Sequence, residues 1–176
     1  MQLPDKHRIA VLSAYALALH GLESLIPSPI PWLKIGLANL ISLVALVLYG
    51  FRPALMVTLV RIVLGSIFTG TFLGPGFLLS LGGGLASVSA MGLCHRIFPR
   101  LFGPIGLSLI SALFHNLAQL GLAWLLFIQR IEAVLLVAPV LILIGTVSGA
   151  VTGMTADVLI RSVLQKNVQT QHNVAS

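Results

Sequence analysis

Long apolar runs alternate along this chain with short segments rich in proline, glycine or charge. A membrane-crossing helix needs roughly 20 mostly apolar residues, and that ruler divides the chain. The first run, Arg8 to Ile26, ends at Pro27-Ser28-Pro29-Ile30-Pro31, where closely spaced prolines cannot continue a helix. A second goes from Trp32 to Tyr49 and stops at Gly50-Phe51-Arg52-Pro53; a third goes from Pro53 to Thr69 and stops at Gly70 to Gly76. The fourth extends from Phe77 to Ile97, and the fifth from Pro104 to Phe127. The sixth, Ala133 to Leu164, is long enough for one tilted helix with a cytoplasmic extension, or for a helix broken near Pro139. The pattern predicts an all-α integral membrane protein of about six transmembrane helices. They form one domain over residues 8–164, between a short cytoplasmic segment, 1–7, and a polar, disordered cytoplasmic tail, 165–176.

Composition supports that class. Only 8% of the 176 residues are charged and the mean hydropathy is +1.05, whereas a soluble domain carries about 25% charged residues. The net charge of +6 would suggest nucleic acid in a soluble protein. Here the basic residues sit between apolar runs, as the positive-inside bias requires. With the N-terminus in the cytoplasm, the inner segments hold Lys6, Arg8, Arg52, Arg96, Arg100, Arg161 and Lys166, against Lys34 and Arg130 outside. Both termini are therefore expected in the cytoplasm. One cysteine, Cys94, excludes an internal disulfide. No cleavable signal peptide is expected, because the first run contains His20 and Glu23 and lacks a small-residue cleavage site.

Three helices carry small residues at four-residue spacing: Ala10, Ala14 and Ala18 on the first, Gly82, Ala86 and Ala90 on the fourth, and Gly145, Gly149 and Gly153 on the sixth. Such a strip lets another helix come close, either within the bundle or from another membrane protein. Polar groups inside the membrane are more informative, since they are costly unless paired or facing a cavity. His20, Glu23, Lys34, Asn39, Arg61, His115, Asn116 and Gln119 come from different helices yet share the outer half of the membrane. A polar pocket open to the outside explains that coincidence. Arg61 and Lys34 would counter an anionic group, with Asn39, His115, Asn116 and Gln119 fixing orientation and Glu23 near the mouth. The segments Pro27 to Lys34 and Gly70 to Gly76 would gate it. Asp157 and Arg161, four apart, read as a simple helix pair.

Absences narrow the chemistry. No Walker sequence, metal-binding cluster or nucleophile motif is present. The four acidic residues never fall within nine positions of one another, so no carboxylate pair is available to hold magnesium on a diphosphate. No catalytic residue, metal or cofactor is expected.

The stretch Pro29-Ile30-Pro31-Trp32-Leu33-Lys34-Ile35-Gly36-Leu37-Ala38-Asn39-Leu40 resembles the signature of a bacterial membrane family, as do Arg61 followed by Gly65 and Gly70, and Ala112 to Gln119. That family has two names, Gx transporter family and heptaprenyl diphosphate synthase component I-like. It is similar to the substrate-binding S-components of energy-coupling factor (ECF) vitamin transporters. The resemblance implies a six-helix bundle in the bacterial cytoplasmic membrane that binds a small molecule near its outer face. It also implies a coupling subunit and ATPases supplied in trans, with Ala10, Ala14 and Ala18 as the docking strip. The leading expectation is thus an uptake subunit for a small molecule, with an anionic one suited to Arg61 and Lys34. The alternatives are a non-catalytic membrane subunit associated with prenyl diphosphate or quinone synthesis, and a membrane scaffold for a redox complex.

Overall fold

The computed structural model of the chain describes residues 6–25 and 37–175. They form six α-helices: α1 (Lys6–Leu25), α2 (Leu37–Tyr49), α3 (Phe51–Phe68), α4 (Pro75–Ile97), α5 (Pro104–Ala123) and α6 (Ile131–Ala175). One π-helical turn, Trp124–Ile128, extends α5. There is no strand among the described residues. The chain is an all-α membrane protein. By length and composition α3, α4, α5 with its π turn, and α6 to Gln165 are each able to cross a membrane; α1 and α2 contribute shorter apolar stretches.

The helix ends follow from local chemistry. A glycine precedes a first-turn proline at the start of both α4 and α5, a position where the missing N–H costs nothing. Gly50 adopts φ 92° between α2 and α3, so the chain reverses within one residue; a β-carbon would resist that backbone. Gln129 takes a left-handed conformation after the π turn and donates its N–H to the Trp124 carbonyl at 3.1 Å.

Pro139 does not break the sixth run. α6 passes through it uninterrupted, as membrane helices tolerate when neighbours satisfy the freed groups. α6 then continues to Ala175, where a disordered tail was expected. No glycine or proline follows Leu164, and the Gln and Lys residues there favour helix. The expected start of the second helix at Trp32 lies outside the described residues; α2 is described from Leu37.

Helix α2 is the axle of the bundle. It touches all five others, and α1, α3, α4, α5 and α6 follow one another around it. Seven successive residues, Leu40 to Leu46, are buried, so this stretch of α2 is enclosed by the bundle on every face. Among the described residues α3 approaches neither α5 nor α6. The interior is apolar toward Tyr49: Leu43, Leu46, Ala54, Val57, Val88, Met91, Leu107, Ala156 and Ile160 pack there. Toward the N-terminal end of α2 it becomes polar.

Candidate functional site

The polar half of the interior is a cleft of about 850 Å³, counting its open mouth. α2 contributes Asn39; α3 contributes Arg61, Ile62 and Ser66; α4 contributes Gly76, Phe77 and Ser80. α5 presents Ser108, Ser111, Ala112, His115, Asn116 and Gln119, and α6 presents Gly145, Ser148, Gly149 and Thr152. Thr69 and Thr71, in the exposed turn between α3 and α4, form part of the rim. That turn lies in the expected gate. It is internally bonded: the Thr69 and Thr71 hydroxyls are 2.9 Å apart, and the Thr71 N–H donates to the Ser66 carbonyl at 2.9 Å.

A side-chain network ties four helices together at the base of the cleft. Arg61, 7% exposed, donates from Nη2 to Asn39 Oδ1 at 3.3 Å. The Asn39 amide nitrogen donates to Ser87 Oγ and to Ser111 Oγ, both at 3.2 Å, and those two hydroxyls are 2.6 Å apart. Both hydrogens and the oxygen of the Asn39 amide are thereby engaged. Sequence reading assigned Asn39 to a ligand; in the structure it borders the cleft and also accepts a hydrogen bond from Arg61. One turn deeper, Thr58 donates to either Ser42 Oγ or the Ala54 carbonyl, both at 2.8 Å, and the interior beyond is apolar.

Close packing shapes the remaining walls. Asn116 Nδ2 donates to the Leu141 carbonyl at 3.0 Å, joining α5 to α6. A β-carbon on Gly145 would overlap that amide, and one on Gly149 would stand 2.9 Å from the Ala112 β-carbon. On Gly153 it would lie 2.7 Å from the Ile105 backbone. The glycine strip of α6 therefore serves packing within the bundle. So does Gly83, where a β-carbon would meet His115 and Gln119, each at 2.9 Å. The α1 strip behaves differently: Ala10, Ala14 and Ala18 are all exposed, while Ser13 and Ala16 turn inward. Asp157 and Arg161 form the expected pair at 2.9 Å.

Of the sequence-derived site residues, Asn39, Arg61, His115, Asn116 and Gln119 come together around one cleft. Lys34 and the segment Pro27 to Lys34 lie outside the described residues, as do the side chains of Glu23 and His20. Sequence reading missed the hydroxyls. Ser108, Ser111, His115 and Gln119 recur at helical spacing on one face of α5, and Gly145, Ser148 and Thr152 do so on α6. That periodicity of small polar residues was the available signal. Among the described residues no group of His, Cys, Asp or Glu is placed to hold a metal ion.

A family model described as heptaprenyl diphosphate synthase component I matches residues 12–159, a span that includes the whole described lining of the cleft. No curated protein and no solved structure matches the chain.

Proposed function

The chain belongs to the heptaprenyl diphosphate synthase component I family, and from that premise we propose that it is a non-catalytic membrane subunit whose cleft holds the diphosphate end of an isoprenoid for a separate catalytic component. The observation that carries this reading is a guanidinium, Arg61, set in an intramembrane cleft lined by hydroxyls and amides. Arginine is a permanent cation whose fork of donors suits phosphate oxygens. The surrounding hydroxyls and amides donate without adding charge. An apolar prenyl chain needs no such lining and is at home in lipid. The word "component" in the family's description implies a partner, and the absence of a magnesium-binding carboxylate pair in this chain leaves the chemistry to that partner.

The test is thermal unfolding of the purified protein in detergent with geranyl diphosphate or geraniol. The diphosphate should raise the melting temperature and the alcohol should not; an equal rise with both would contradict the reading. Supplied with magnesium and both allylic and homoallylic diphosphates, the isolated chain should form no product. Turnover above a mock-purified control would overturn the non-catalytic assignment.

A second reading is an S-component-like uptake subunit. The exposed strip Ala10, Ala14 and Ala18 favours it, because small residues turned away from the bundle leave room for a second membrane protein. Co-purification from native membranes with an ATPase pair and a coupling subunit would select uptake, whereas a prenyl synthase would select the first reading. For either role we place the chain in a bacterial cytoplasmic membrane with both termini inside. Labelling cysteines introduced at residues 3 and 172 tests this, and reaction of either from outside intact cells would refute it.

A further inference from the structure

Among the described residues, threonines within and at the ends of helices follow a habit with one departure. Thr69, Thr146 and Thr155 each donate to the carbonyl four residues earlier, at 2.7–2.9 Å, and the Thr58 hydroxyl lies 2.8 Å from the carbonyl of Ala54. That local bond is the usual resort of a threonine hydroxyl in an apolar setting. Thr152 lies on α6 between two of these residues and is only 3% exposed, yet its hydroxyl has no hydrogen-bond partner. Of Thr146, Thr152 and Thr155 on α6, it is also the one that borders the cleft. A buried hydroxyl without a partner is unfavourable, so the missing partner needs a source.

The architecture supplies a position for it. Arg61 stands on α3 and Thr152 on α6, and no Cα of one helix comes within 8 Å of the other among the described residues. Both residues line the same cleft. A group that reaches Thr152 while held at Arg61 must bridge two walls that do not otherwise meet. Gly145 and Gly149 keep the α6 wall close against α5 beside Thr152. Rotation about the Thr152 Cα–Cβ bond re-aims the covered hydroxyl without moving the helix.

We propose that Thr152 is a second anchor for the ligand: one phosphate of a diphosphate is held at Arg61, as oriented by Asn39, and an oxygen of the other accepts the Thr152 hydroxyl. This rests on the reading of the cleft as an anion site and adds to it a two-point requirement. It selects diphosphates over monophosphates and links α3 to α6 when the cleft is filled.

Inorganic diphosphate and orthophosphate, without magnesium, are the probes, and the melting temperature in detergent is the readout. In the natural protein diphosphate should give a clearly larger upward shift than orthophosphate. Thr152→Val, which keeps the shape and removes the hydroxyl, should melt no lower without ligand, and its diphosphate shift should fall to the orthophosphate level. Thr152→Ser should recover most of the difference. Arg61→Ala should lose both shifts. As a check independent of melting, Thr152→Cys in a Cys94→Ser background should react with a small thiol reagent more slowly in diphosphate, and at an unchanged rate in orthophosphate. An unchanged diphosphate shift in Thr152→Val, with loss in Arg61→Ala, would overturn the second anchor and leave the anion site standing. Equal shifts for the two probes in the natural protein would overturn the two-point requirement. No shift with either probe would overturn both.

Discussion

Toward Tyr49 the centre of the bundle is filled: Leu43, Leu46, Val57, Val88, Met91 and Leu107 are each 2% exposed or less. Toward Asn39 the same helices enclose a polar cleft with a buried arginine at its base. The difference arises within one or two turns of each helix. On α2 it separates Leu43 from Asn39, and on α3 it separates Val57 from Arg61. Lipid supplies no hydrophobic drive between helices, so the filled half is held by close contact. The polar half is held by hydrogen bonds that satisfy Asn39, Ser87 and Ser111 together. One half is therefore the support, and the other is available for a ligand.

Substitutions can break that contrast on either side. The largest loss of stability should follow Met91→Ala, which leaves a void in the filled half and should cost about 2–5 kcal/mol. The ligand-induced rise in melting temperature should survive in that variant. Its disappearance would mean that the two halves do not act separately. Asn39→Ala should cost less, about 1–3 kcal/mol, as Arg61, Ser87 and Ser111 lose their shared partner. Because Asn39 orients Arg61, this variant should also bind a prenyl diphosphate more weakly. Unchanged affinity would remove Asn39 from the site's support. Ala14→Leu lies on the exposed face of α1 and should shift stability by less than about 0.5 kcal/mol. A larger loss would show that the strip packs within the protein.

How much the sequence disclosed differs between the two halves. The helices were legible because proline and glycine punctuate apolar runs of membrane length, and most boundaries moved by only a few residues. Pro139 left a continuous and a broken sixth helix both open, and the helix is continuous because a membrane helix can absorb a proline that often ends a soluble one. The charged and amide members of the cleft were legible because they are conspicuous in an apolar chain. Ser87, Ser111 and Thr152 were not, since serine and threonine occur throughout membrane helices and most of the threonines here satisfy themselves locally. Nor could spacing alone show that the α6 glycines face α5 while the α1 alanines face outward. Both strips have the same four-residue period, and only the packing separates them.

On the proposed reading Arg61 serves an anionic ligand rather than a purely structural ion pair with Glu23. Melting temperatures of Arg61→Ala and Glu23→Gln, each with and without geranyl diphosphate, separate the two roles. Arg61→Ala should remain folded and lose the ligand-induced rise, while Glu23→Gln should keep both its stability and its response. A large and equal loss of stability in the two variants would contradict the claim.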